Sequence, residues 1–150
     1  AGLATCLDLS LLFASCLEQA NLNPLLIFTH GHAFIGLWLR NEEFSTAVVD
    51  DITAIRKRLQ LQEMVVFETT LAAQGHPVSF SQAISQGTRQ LSEEEDDKFE
   101  LVVDVKRARM SRITSRISSS VSPKPTIRPL LVGICGNRAL NFWSRFRLKA

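Results

Sequence analysis

Cys6 is the residue of this 150-residue chain best placed to act as a nucleophile, because it opens an apolar segment typical of a helix. Thr5 before it is a good helix N-cap, and Asp8 lies in the first turn, where acids are favoured. The unpaired N–H groups and the dipole of a helix N-terminus favour the thiolate, which is the reactive form of a cysteine. The alternative for Cys6 is a small core residue, the commoner use of a free cysteine.

His32, Glu68 and Asp50 are the candidates for the groups that would activate this thiol. A sulfur nucleophile needs a base, and the base needs a third group that orients it. His32 begins an alternating apolar segment, so it would stand at the start of a strand facing the Cys6 helix. Glu68 ends another predicted strand, which could lie beside the His32 strand. Asp50 is closer in sequence but is also typical of a helix cap; we favour Glu68 and keep Asp50 as the rival.

The apolar patterns of the chain predict a mixed architecture. Helices are predicted over residues 6–20, 52–61 and 80–91, and strands over residues 25–29, 32–39, 64–68 and 99–105. Alternation places His32 and Gly36 on one face of their strand, where the missing side chain of Gly36 would let the Cys6 helix approach. The last strand is expected at a sheet edge. The predicted class is α+β, with an N-terminal helix packed on a mostly antiparallel sheet and with inserted helices.

Composition limits the cellular setting and the chemistry. No run approaches the ~18–20 apolar residues of a membrane helix, so no membrane partner is predicted. The first twenty residues lack a basic front and contain Asp8 and Glu18, unlike a signal peptide. Three cysteines form an odd set without metal-type spacing. We therefore expect a reduced, cytoplasmic protein that uses neither a metal nor a cofactor.

Charge divides the chain into two parts. Of its 17 Lys and Arg and 15 Asp and Glu residues, residues 115–150 hold seven basic residues and no acid. Residues 118–125 have the Ser- and Pro-rich composition of a linker. We therefore predict a domain over residues 1–110, followed by a basic Ser/Pro-rich tail over residues 111–150, which would include the truncated start of a following domain.

The Cys6 and His32 segments resemble the transglutaminase-like cysteine hydrolases, which have a papain-like fold. The resemblance covers about residues 2–72 and is carried by residues 4–12, 32–38 and 66–70. It implies that Cys6 is the nucleophile, His32 the base and Glu68 the orienting acid of a triad that cleaves or transfers a peptide or isopeptide acyl group. Three departures stand out: Phe34 replaces a Trp, Glu68 replaces an Asp, and the predicted helix 52–61 replaces a short hairpin.

A narrower resemblance concerns large bacterial multidomain proteins in which a transglutaminase-like region continues into a superfamily I helicase and nuclease-like part. Residues 31–38, 67–70 and 103–109 carry it, and residues 137–142 resemble the opening of the next domain there. It implies a peptide or protein substrate, and contact with nucleic acid only through other domains of a larger parent protein. It also implies an alternative function, a catalytically inactive binding module that keeps the fold.

The predicted boundary can be tested by truncation. Deleting residues 111–150 should leave the melting temperature nearly unchanged, because the acid-free tail lacks a periodic apolar pattern before Leu130. Thermal unfolding followed by circular dichroism measures this, and a large drop would show that the tail packs on the core.

Overall fold

A five-stranded sheet with helices on both faces forms the body of the protein in the computed structural model, which describes residues 5–74 and 77–111. The described residues belong to one compact unit. The helices are α1 (Cys6–Gln19), α2 (Ile52–Gln60), α3 (Phe80–Arg89) and α4 (Val105–Met110). The strands are β1 (Pro24–Thr29), β2 (His32–Trp38), β3 (Val48–Val49), β4 (Met64–Phe67) and β5 (Phe99–Asp104). Two 3₁₀ segments span Thr70–Ala73 and Glu93–Lys98.

The class predicted from the sequence, α+β, is confirmed: the strand order is β3-β5-β1-β2-β4, and each pairing is antiparallel. The prediction that strand 99–105 lies at an edge is wrong, because β5 pairs with β1 on one side and with β3 on the other. Strand β3 has only two residues, Val48 and Val49, too few to show an alternating pattern.

The two faces of the sheet hold separate apolar clusters. Phe34 and Trp38 of β2 pack in one cluster, together with Ile55 of α2. Ile35 and Leu37 pack in the other. That second cluster also takes in Ala14 and Leu17 of α1, Ala83 of α3 and Val105 of α4.

This division corrects the expected position of α1. We predicted that the Cys6 helix would approach the face of β2 that carries His32 and Gly36. Instead, α1 packs on the opposite face of β2. The space beside Gly36 is occupied by the side chains of Leu25 and Ile27 of β1. A Cβ atom at Gly36 would lie 3.1 Å from Leu25 Cβ and 3.2 Å from Ile27 Cδ1. The glycine therefore makes room for these two side chains of the neighbouring strand.

Side-chain caps fix where the helices begin. Thr5 is the N-cap of α1, as the sequence predicts, and it forms a capping box with Asp8. The acid that caps α2 is Asp51, whose carboxylate accepts from the backbone N–H groups of Thr53 and Ala54. Asp50, which the sequence suggested as a helix cap, is exposed and does not cap α2.

Asp104 joins the end of β5 to distant parts of the chain. Its fully buried carboxylate accepts hydrogen bonds from Trp38 Nε1 at 3.2 Å and from the backbone N–H of Phe44 at 2.9 Å. It also caps α4, since its other oxygen accepts from the N–H of Arg107 at 3.0 Å. Trp38 is accordingly a core residue.

The basic run 106–109 is part of α4, and its charges are used within the protein. Arg109 makes two hydrogen bonds of 2.9 Å to the carboxylate of Glu18 on α1, and Arg107 lies 3.4 Å from Glu43. These groups tie α4 to neighbouring elements.

Gly87 sets how closely α3 lies against β4. A Cβ atom at this position would stand 2.9 Å from both the Cα and the backbone N of Phe67, closer than real contacts allow. One turn earlier, the carbonyl of Ala83 accepts from the N–H of Glu68 at 3.0 Å. Helix α3 is therefore held against the segment that carries Glu68.

Gly87→Ala should lower the free energy of unfolding by about 1–3 kcal/mol, because the added methyl meets backbone that cannot rotate away. An exposed glycine in a helix would respond in the opposite direction, gaining up to about 1 kcal/mol with alanine. Denaturant unfolding measures the difference, with Ser85→Ala on the exposed side of α3 as the control. A Gly87→Ala protein as stable as the control would contradict the close packing.

Candidate functional site

An imidazole–carboxylate pair lies where β2 begins and β4 ends. His32 Nε2 and Glu68 Oε2 are 2.7 Å apart, which is a short hydrogen bond. The Glu68 side chain is 4% exposed, whereas the His32 ring is 27% exposed. The carboxylate is therefore enclosed by protein while the ring remains open to a ligand.

The pairing of the strands explains why these two side chains meet. Strands β2 and β4 are antiparallel, with Ile35 opposite Phe67. Continuing that register by one residue places Glu68 opposite Phe34, so it lies diagonally across from His32. The Phe34 ring stacks beside the imidazole, with centroids 6.0 Å apart and planes 22° apart, which helps fix the ring orientation.

Two residues besides His32 satisfy the Glu68 carboxylate. Oε1 accepts from the backbone N–H of Thr70 at 2.9 Å and from its hydroxyl at 2.8 Å. Oε2 accepts from Gln90 Nε2 at 2.6 Å in addition to His32. Sequence reasoning missed Gln90 because it lies 22 residues away in a polar segment without a motif; Thr70 was noted only as part of the Glu-Thr-Thr pattern.

These contacts keep Glu68 ionised. Burial raises the pKa of the Glu68 carboxyl, but hydrogen bonds from the Thr70 N–H, from His32 and from the Thr70 hydroxyl together lower it more. Its pKa therefore lies below its ordinary value of 4.5. Because a carboxylate only accepts hydrogen bonds, His32 Nε2 must carry the hydrogen, and the lone pair of a neutral ring is then on Nδ1.

Cys6 is the first residue of α1 and is a half-buried free thiol. One turn later on the same side of the helix, the buried Ser10 hydroxyl donates to the Ala33 carbonyl at 3.2 Å and lies 3.3 Å from Thr69 Oγ1. The other end of the helix leads to Asn23, whose carbonyl accepts from the Trp38 N–H. Helix α1 thus runs along β2 in the same direction, and its first turn lies at the end of the strand where His32 begins.

The structure brings His32 and Glu68 into contact but does not join Cys6 to them. Within residues 5–74 and 77–111, Cys6 Sγ makes no hydrogen bond to either residue, and α1 packs on the face of β2 opposite His32. The rival acid, Asp50, is exposed beside β3 and takes no part in the His32 contacts. His30 is a turn residue whose side chain is 86% exposed.

A cleft of about 340 Å³ opens beside the His32 ring. It lies between the β1–β2 turn, the end of α3 and the 3₁₀ segment Glu93–Lys98. Its lining residues are Thr29, His30, His32, Gln86, Arg89, Gln90, Glu95 and Lys98. Both His32 and Gln90 therefore contact Glu68 on one side and the cleft on the other.

Neither protein families, nor curated proteins, nor solved structures gave a match to this chain. The described helices include none that is long and apolar enough to cross a membrane.

Glu68→Gln should lower the free energy of unfolding by about 1–3 kcal/mol at pH 7, because the hydrogen bonds lose their charge assistance. The difference in free energy of unfolding between the wild type and Glu68→Gln should become smaller as the pH falls. The unfolded chain takes up a proton near the ordinary pKa of 4.5, whereas the folded carboxyl does so only at lower pH. The stabilising effect of Glu68 is thus present above pH 4.5 and is lost as pH falls through its folded pKa.

Denaturant unfolding of the wild type and of Glu68→Gln, from pH 7 down to pH 3, measures this dependence. Asp50→Asn is the matched control, since it removes an exposed carboxylate. A constant difference between wild type and Glu68→Gln at all pH values would contradict the ionised, hydrogen-bonded state of Glu68.

Proposed function

We propose that this chain is a transglutaminase-like cysteine hydrolase domain, with a papain-like fold, that cleaves or transfers a peptide or isopeptide acyl group. The observation that supports it best is the 2.7 Å contact between His32 and the buried Glu68. A half-exposed imidazole whose far nitrogen is held by a carboxylate has the form of a general base. The first turn of α1, with Cys6, lies at the same end of β2.

In this proposal Cys6 Sγ attacks the carbonyl carbon of the amide while its proton passes to His32 Nδ1. The imidazolium that forms is stabilised by Glu68, and it then gives the proton to the departing amine. The product of this half-reaction is a thioester on Cys6. Water attacking the thioester completes hydrolysis and restores the thiol; an amine attacking it completes transfer.

The negative charge that develops on the carbonyl oxygen would be stabilised by backbone N–H groups at the start of α1. The backbone N–H groups of Cys6 and Leu7 donate no hydrogen bond within the described parts of the chain, whereas that of Asp8 is used by Thr5. Free N–H groups at a helix start are suited to hold an oxyanion. Cys6 N–H would serve as one donor.

A second candidate is a catalytically inactive binding module of the same fold within a larger bacterial helicase or nuclease protein. It is favoured by the position of α1, which packs on the face of β2 opposite His32, without a hydrogen bond between Cys6 and His32 in the described residues. Such a module would keep the Glu68 contacts for stability and bind a peptide or protein without turnover. Nucleic acid would be contacted only by other domains. For both candidates, we propose a cytoplasmic location.

The reactivity of Cys6 distinguishes the two candidates. A thiolate–imidazolium pair stays reactive at pH 6, whereas an ordinary thiol of pKa ~8.5 is only about 0.3% thiolate there. We expect iodoacetamide to alkylate Cys6 at pH 6 in the wild type and about 100-fold more slowly in His32→Asn. Mass spectrometry of the Cys6 peptide measures the rate separately from the other cysteines. A wild-type rate that rises tenfold per pH unit up to pH 8 would favour the binding module.

The same assay tests which acid orients His32. Glu68→Gln should slow Cys6 alkylation at pH 6 and reduce turnover of any substrate by ~10²–10⁴-fold, because an amide in place of the carboxylate no longer fixes the hydrogen on Nε2. Asp50→Asn should leave the rate unchanged. Thermal melts of both variants separate this effect from unfolding. If Asp50→Asn abolishes labelling while Glu68→Gln spares it, the roles are reversed.

A further inference from the structure

The cleft beside His32 carries one positive charge that the described protein does not neutralise. Glu95, the acid that lines the cleft, is paired with Lys98. Arg89 lines the cleft at the end of α3, and its guanidinium has no ion pair and no hydrogen bond among the described residues. A free guanidinium in a cleft presents a planar fork of N–H donors that matches a carboxylate.

The other groups in the cleft are neutral hydrogen-bonding groups. Thr29, only 6% exposed, lines it, and its hydroxyl has no hydrogen-bond partner among the described residues. Gln90 uses its Nε2 on Glu68, which leaves its Oε1 to accept from a ligand N–H. Gln86 adds a second amide. Hydroxyl and amide groups of this kind suit the backbone of a bound peptide, whose N–H and C=O groups need partners when water is displaced.

We propose that this cleft is the binding site for an acidic peptide, with Arg89 recognising a carboxylate of the peptide beside the His32 ring. The site would give the proposed hydrolase its substrate class, and to that extent it rests on the proposed function. The carboxylate is either an acidic side chain or the free C-terminus of a chain. Gln90 links the cleft to the His32–Glu68 pair, since it lines the cleft and donates a hydrogen bond to Glu68.

Ligand binding can be measured without any reaction by using the full chain with Cys6→Ala. The probes are N-acetylglutamate α-amide, which has only a side-chain carboxylate, and N-acetylglutamine, which has only a C-terminal carboxylate. N-acetylglutamine α-amide is the neutral control. Titration of each probe, followed by the His32 ring resonances in NMR spectra, gives a Kd. At least one anionic probe should shift these resonances, and the one that binds more tightly identifies the source of the carboxylate.

Arg89→Gln should weaken binding of the preferred anionic probe by about tenfold, because a charge-assisted hydrogen bond is lost. Lys57→Gln is the matched control: Lys57 is exposed on α2, outside the cleft, and its loss changes the net charge equally. That variant should change the Kd by less than about twofold at 0.15 M salt. Equal losses in the two variants, or neutral-amide binding as tight as that of the acids, would overturn the proposal, as would no shift with any probe.

The two proposals fail separately in this design. Carboxylate binding that depends on Arg89, in a protein whose Cys6 alkylates as an ordinary thiol, would support the peptide site and remove the hydrolase function. Alkylation at pH 6 without carboxylate binding would keep the hydrolase function and remove the site.

Discussion

The buried carboxylate of Glu68 is the group that most constrains this structure. An ionised carboxylate is costly to bury unless hydrogen bonds replace the water it loses. Glu68 receives four, from His32, from the N–H and hydroxyl of Thr70, and from Gln90. These donors come from the start of β2, the turn after β4 and the end of α3. The hydrogen bonds of the Glu68 carboxylate therefore form only when β2 is paired with β4 and α3 is packed in its native position.

Local signals in the sequence predicted most of the elements. The N-cap Thr5, the alternation of β2 and the apolar stripe of α2 are short-range patterns, and the elements they predict are present. The elements that escaped prediction are short or polar. Strand β3 has two residues, and α4 is a short basic segment whose first residue, Val105, had been assigned to a strand. Position within the sheet was also beyond local patterns, since β5 becomes interior only when β3 pairs with it.

The candidate site was partly predictable, because the chemistry of the side chains leaves few residues that could pair with His32. Few acids stand at the end of an apolar strand, so Glu68 could be named as a partner of His32, and they are 2.7 Å apart. The face on which α1 packs was not predictable, because both faces of β2 are apolar and a glycine permits close approach from either a helix or a neighbouring strand. Gln90 was missed because it lies 22 residues from Glu68 in a polar segment without a motif, and only the folded chain brings the end of α3 beside Glu68.

The interior position of β5 in the sheet has a consequence for how the chain folds. Strands β1 and β2 form a local hairpin, and α1 and β4 can join it early. The outer edge of β1 obtains its partner only when residues 99–104 arrive, some 70 residues later in the chain. Until then β1, with the apolar sequence PLLIFT, presents unpaired backbone groups that another chain could pair with. Synthesis from the N-terminus prolongs that interval, so this edge of the partly made protein is open to association until β5 pairs with it.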